Sequence, residues 1–185
     1  MSLYKSLVTS YSDGSTYPKN PGNGGYSVIF VVEKGNIRHI KTVAKYFPAE
    51  CEVTGDAIWQ LRQGKKRKPF EKNGKTYIET TNNRMEIGGV IEAMSRVKKP
   101  EETKLIVYSD SQWAINMANG TWVAKENKDL VTQARKLAAK FCEIEFRWVR
   151  GHEGHRWNEW CDQLAYHAVT SETPEDIQAY QEEIK

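Results

Sequence analysis

Short apolar stretches of strand type fill the first part of this chain, and helical spacing sets in only after residue 81. Residues 3–12 are rich in Val, Tyr, Ser and Thr and stop at Asp13-Gly14, which predicts a strand running into a turn. Residues 17–25 are dense in Pro, Asn and Gly and predict a turn. Two further strands are expected over 26–32 and 37–46, and their short connection, Lys34-Gly35-Asn36, makes an antiparallel meander. From Asn82 the period changes: Ile87, Val90, Ile91, Met94 and Val97 share one helical face. Residues 105–108 then read as a strand, followed by helices from Ser111 and over about 127–140. A fifth strand over 144–149 leads through Gly151-His152-Glu153-Gly154-His155 into a helix carrying Asp162, Leu164, Ala165 and Ala168. At the end, Thr173 as N-cap, Pro174 at the first helical position and acidic Glu175 and Asp176 predict a terminal helix.

Strands in a meander followed by alternating helix and strand describe an α/β fold, a mixed sheet with helices on its faces. One region departs from this plan. Residues 48–79 are too long for a plain connection and read as an insertion with structure of its own. A short helix is expected over 54–63, with Ile58, Trp59 and Leu61 as its apolar side. A hairpin turns at Asn73-Gly74. Between them stands the basic run Lys65-Lys66-Arg67-Lys68. The expected organisation is a domain over 1–169 with this insertion, and a helical tail over 170–185.

With 185 residues, 39% hydrophobic and 28% charged, the chain has the composition of one globular domain. A net charge of +3 permits a nucleic-acid partner without arguing for one. Cys51, Cys142 and Cys161 are an odd number without tight spacing and suggest neither a disulfide framework nor a metal knuckle. No segment has the length of a membrane span, and the amino terminus lacks the apolar run of a signal peptide, so a reducing, cytoplasmic setting is expected; with no clear heptad or symmetric interface signature, so is a monomer.

The candidate chemistry lies in four acids, each in a distinctive context. Asp13 lies in Ser12-Asp13-Gly14-Ser15 and Glu86 closes Thr80-Thr81-Asn82-Asn83-Arg84-Met85-Glu86. Asp110 lies in Ser109-Asp110-Ser111-Gln112, and Asp162 ends Asn158-Glu159-Trp160-Cys161-Asp162. Carboxylates converging on one sheet edge call for a cation between them, and oxygen-only ligation favours Mg²⁺ or Mn²⁺ over zinc. Such a site suits phosphodiester hydrolysis, where two ions activate a water and stabilise the leaving oxygen. His152 and His155 flank a glycine in a loop, where solvated histidines are also common.

Taken together and in this order, these motifs, with Trp148-Val149-Arg150-Gly151-His152 between the third and fourth, resemble ribonuclease H of type 1. The likeness runs from Asp13 to about Ala168, leaving out the insertion. It implies a five-stranded mixed sheet, three strands antiparallel and two parallel, with helices on both faces. It implies an endonuclease that hydrolyses the RNA strand of RNA–DNA hybrids and leaves 5′-phosphate and 3′-hydroxyl ends. Asp13, Glu86, Asp110 and Asp162 match the family's metal-binding carboxylates, for two Mg²⁺ ions that Mn²⁺ can replace. His152 matches a loop histidine that assists proton transfer or product release. Gly14, Ser15, Asn20, Asn82, Asn83 and Gln112 match substrate-binding positions, the amides hydrogen-bonding in the minor groove. Thr81 and Asn127 match positions that hold a DNA-strand phosphate. Asn82 also suits a helix N-cap, and Trp122 either supports a DNA sugar or packs in the core.

Two departures from the family pattern stand out. Many members carry an arginine two residues before Thr81, where this chain has Glu79. Many also carry a long basic protrusion where only residues 113–126 remain here. Lys65, Lys66, Arg67 and Lys68 are therefore candidate nucleic-acid contacts in place of that protrusion, against the plain alternative of a solvated charge run.

Overall fold

The expected meander forms β1 (Ser6–Tyr17), β2 (Asn23–Lys34) and β3 (Ile37–Phe47) in the computed structural model, which describes residues 4–184. Residues 1–3, where the first expected strand begins, lie outside the described residues. The insertion contributes β4 (Glu50–Glu52), α1 (Asp56–Arg62), β5 (Phe70–Lys72) and β6 (Lys75–Glu79). There follow α2 (Asn82–Ser95), β7 (Thr103–Ser109), α3 (Gln112–Ala118), α4 (Lys128–Ala138), β8 (Glu143–Trp148), α5 (Arg156–Thr170) and β9 (Asp176–Glu183). The main sheet runs β8-β7-β1-β2-β3-β9, with β1, β7 and β8 parallel to one another.

Strand alternation splits the core into two layers. On one face Val28, Phe30, Leu105 and Val107 meet Val90, Ala93 and Met94 of α2, with Ala114 and Met117 of α3 and Val131 and Ala134 of α4. On the other, Tyr11, Ile29, Val31 and Ile40 meet Cys161, Trp157, Trp160 and Leu164 of α5. Helices thus cover both faces, as the sequence predicts. Among the described residues no helix is long and apolar enough to cross a membrane.

Three details correct the reading of the sequence. The expected C-terminal helix is a strand: β9 pairs antiparallel with β3, making six strands where five were expected. The capping signals at 173–176 are local, and the open edge of β3 overrides them. Tyr180 packs on Trp160 with ring centroids 5.5 Å apart, and Glu182 takes Arg38 and Arg156 at 2.6 and 2.7 Å. Second, β1 does not stop at Asp13-Gly14 but continues to Tyr17. Gly14 serves close packing, because a Cβ there would stand 2.3 Å from the backbone nitrogen of Glu86. Third, the cap of α2 is Thr81, whose hydroxyl accepts from the Arg84 N–H at 3.3 Å, and Asn82 is the first helical residue.

The insertion is fastened to the body. Its small sheet, ordered β4-β6-β5, buries Ile78, while α1 buries Leu61 and packs beside α4. Asn73 and Gly74 take the left-handed conformation at the tip of the β5–β6 hairpin, as the Asn-Gly pair requires.

A buried ion pair ties α2 to α4. Arg84 donates to both oxygens of Asp129, at 3.1 and 2.8 Å, and to Asn127 Oδ1 at 3.3 Å. Both charged residues are under 10% exposed. Removing one partner strands the other charge in the interior. Asp129→Leu should therefore lower unfolding stability by about 3–5 kcal/mol, and the double change Arg84→Met, Asp129→Leu should recover most of it. Denaturant titration of the three variants checks this.

Candidate active site

Parallel pairing of β1 with β7 sets Tyr11 opposite Tyr108, and an acid follows each two residues on, Asp13 within β1 and Asp110 just past the end of β7. The two tyrosine rings stack at 4.9 Å beneath them. The missing side chain of Gly14 lets α2 approach, and its first turns bring Glu86 to the same point. One ligand oxygen from each of Asp13, Glu86 and Asp110 can be chosen so that all lie within 4.8 Å of one another. Asp162, on α5, comes close to Asp13 from the opposite face of the sheet, adds to the negative charge around it, and stands outside this triple.

Burial and crowding oppose ionisation here. The carboxyl of Asp13 titrates well above its ordinary range, because it is desolvated and faces Asp110, although the Gly14 N–H donates to it at 2.8 Å. Glu86 is raised well above its ordinary value by burial first and then by Asp13 and Asp110, with Asn82 Nδ2 at 3.1 Å opposing. Its second oxygen, Oε2, is buried without a hydrogen-bond partner. A desolvated carboxylate oxygen left unpaired beside two other acids fits a hard divalent cation, which would satisfy it and reverse the repulsion.

The 151–155 loop closes against the third acid. A Cβ at Gly151 would stand 2.6 Å from Asp110 Oδ2, so any side chain there would push that carboxylate out of place. Asn158, fully buried in the first turn of α5, donates to that same oxygen at 3.1 Å, and the Trp148 indole N–H donates to the Asp110 carbonyl at 2.9 Å. His152 is exposed in the left-handed conformation, φ 56°, next to Gly151. His155 turns inward, its ring 5.1 Å from that of Tyr11.

The remaining candidates fall around this centre. Ser15 follows Gly14 on β1, and Asn20 Oδ1 accepts the N–H of Asn82 at 3.2 Å, joining the 18–22 turn to α2. Gln112 is exposed at the start of α3. Asn83 and Trp122 share a groove of about 550 Å³ with Trp113, Val123 and Glu126. Trp122 is 44% exposed there rather than sealed in the core. Thr81 and Asn127 are buried, the first as a cap and the second held by Arg84.

The basic run divides. Lys65 and Lys66 are exposed, Lys68 Nζ turns back onto the carbonyl of Arg62 at 2.6 Å, and Arg67 Nη1 donates to Glu79 at 2.9 Å. Their backbone is gripped by Glu126, whose carboxylate accepts the N–H groups of Lys65, Lys66 and Arg67 at 2.6, 2.7 and 3.3 Å. Partial burial pushes the Glu126 carboxyl up, but these three donors and the charge of Lys68 outweigh it and leave it below the ordinary range. The sequence offered no signal for the Glu126 contact, since its partners lie some sixty residues away. Asn158 was visible as part of a motif, but not its bond to Asp110.

The family model for RNase H matches residues 5–170. A ribonuclease H of Mannheimia succiniciproducens is 40% identical over 187 residues, covering 95% of each chain. The chain belongs to the ribonuclease H family. Among solved structures, LC9-RNase H1, a type 1 RNase H with the type 2 active-site motif, superposes with a TM-score of 0.64 at 22% identity, over 94% of this chain and 76% of that one. LC11-RNase H1 in complex with RNA/DNA hybrid gives 0.61 at 18%, over 89% and 98%. At these identities the two structures speak for the fold.

This type 1 ribonuclease H therefore carries an acidic centre compatible with a divalent metal, in a fold shared with its relatives. The raised carboxyls have a consequence for stability. A group whose folded pKa is raised contributes stability that is whole below its unfolded pKa and is lost as pH rises through the folded value. Near pH 8, without divalent ions, Asp13→Asn or Glu86→Gln should thus raise Tm by about 2–5 °C, and the gain should shrink on acidification. Mg²⁺ should raise the Tm of the wild type and have less effect on either variant. Thermal scans with chelator and with Mg²⁺ check both; a variant less stable than wild type under chelator would contradict the account.

Proposed function

We propose that this ribonuclease H is an endonuclease hydrolysing the RNA strand of RNA–DNA hybrids, leaving 5′-phosphate and 3′-hydroxyl ends. The observation that carries the reading is the convergence of Asp13, Glu86 and Asp110 within 4.8 Å, with Asp162 beside Asp13 and an orphaned oxygen on Glu86. Asp13, Glu86, Asp110 and Asp162 would hold two Mg²⁺ ions, or Mn²⁺ in their place, and bound there the metal would supply water activation and charge neutralisation at the leaving 3′ oxygen.

The chain's own groups do the rest. Asn158 and Gly151 hold Asp110 in one orientation, the first by its amide and the second by leaving room. His152, exposed beside Gly151, exchanges a proton with the leaving group or helps release product. Asn20, Asn82, Asn83 and Gln112 offer paired donors and acceptors to base edges and 2′-hydroxyls, with Gly14 and Ser15 beside the scissile phosphate. Asn83 and Trp122 border one groove, which suits a sugar resting on the indole face. Thr81 and Asn127 lie where a DNA-strand phosphate is held, and Lys65, Lys66, Arg67 and Lys68 add positive charge nearby. The same reading carries a monomer working in a reducing cytoplasm. The hybrid bound by LC11-RNase H1 supports the choice of substrate.

An end-labelled hybrid, with matched RNA and DNA duplexes as controls, tests the reading in Mg²⁺, Mn²⁺ and chelator. Metal-dependent cutting confined to the RNA of the hybrid is expected, lowered by at least about a thousandfold in Asp110→Asn. Cutting of DNA duplex would refute it, as would binding of hybrid without cleavage in either metal.

A further inference from the structure

Glu79 and Arg67 form a part-exposed ion pair at the end of β6, just before Thr81 caps α2. Glu79 stands two residues before Thr81 at the end of β6, and Glu126, one residue before Asn127, grips the backbone that carries Arg67. The loop from the insertion is thus latched to the α4 side of the molecule and aims one guanidinium at the α2 side. The pair is 38% and 47% exposed at its side chains, with a single bond at 2.9 Å. Such a pair holds weakly and exchanges readily. Among the described residues Arg67 directs no other side-chain donor to a partner, so most of its planar fork is available.

We propose that Arg67 is a phosphate-binding residue of the hybrid site and that Glu79 is its placeholder, displaced by a backbone phosphodiester when the hybrid binds. Glu126 is the positioning residue that holds the loop in reach. This rests on the hybrid-binding reading above and extends it to residues on the insertion. A phosphodiester offers Arg67 two oxygens in the plane of its fork, where Glu79 now engages one nitrogen. Glu79 also offsets the charge of the guanidinium while no anion is bound, and the three main-chain bonds to Glu126 keep the loop that carries it ordered. The role of Glu126 has an unusual sign. Removing an acid beside a polyanion ordinarily strengthens binding, but loss of this one frees the loop.

Steady-state cleavage of the hybrid at several salt concentrations tests the proposal, with hybrid binding measured in parallel by anisotropy in the inactive Asp110→Asn background. Arg67→Ala should raise KM and Kd about 5–10-fold with kcat within about twofold, and should reduce the salt slope by about one. Arg67→Lys should recover part of the loss. Glu79→Gln should tighten binding about 2–5-fold in the wild-type background and give no gain in the Arg67→Ala background. Glu126→Ala should weaken binding despite removing a negative charge. If Glu79 merely repels phosphate, Glu79→Gln will help equally in both backgrounds, and the proposal is overturned. An unchanged KM in Arg67→Ala, or tighter binding in Glu126→Ala, overturns it as well. Wild-type protein that binds hybrid and never cuts it would sink the cleavage reading alone, because the anisotropy series still reports on Arg67.

Discussion

Like charges held together are the constraint to which the rest of this structure answers. Asp13, Glu86 and Asp110 stand close enough to share a cation, and two of them are withdrawn from water. The free energy that keeps them so is supplied elsewhere, by two apolar layers on the faces of the sheet, while a buried Arg84–Asp129 pair fixes how the helices beside it meet. Small residues do the local work. Gly14 admits the backbone of α2 at a distance no side chain would allow, and Gly151 leaves the carboxylate of Asp110 its present position. The acidic centre is thus strained electrostatically and relaxed sterically, an arrangement that favours cation capture over collapse.

The insertion belongs to this same body. Leu61 and Ile78 give it a small core, α1 leans on α4, and Glu126 locks its basic loop through three main-chain donors. A charge run in sequence therefore becomes four side chains with different fates. Lys68 caps the end of α1, Arg67 faces Glu79, and Lys65 and Lys66 reach solvent.

What could be read beforehand followed the range of the forces involved. The meander, the α2 stripe of Ile87, Val90, Ile91 and Met94, and the Asn73-Gly74 hairpin rest on local periodicity and turn chemistry, and they are found as expected. The acids were visible because each sits in its own short motif. The tail was misread because Thr173-Pro174-Glu175-Asp176 satisfies local capping rules, while the partner that decides its state, β3, lies far away in sequence. The contacts of Glu126 with the insertion and of Asn158 with Asp110 were hidden for the same reason, since neither leaves a local trace.

The last strand also bears on how the molecule comes together. Its ladder pairs Ile40 with Tyr180, so nearly the whole chain must exist before that edge is covered. The β1–β3 meander forms from neighbours in sequence, and until β9 arrives β3 is a bare rim offering unpaired amides to any passing strand. Arg38, His39 and Lys41 lie along that rim and oppose such encounters by their polarity and charge. Glu182 later meets Arg38. One residue thus serves first as a gatekeeper on an open border and afterwards as the anchor for the strand that closes it.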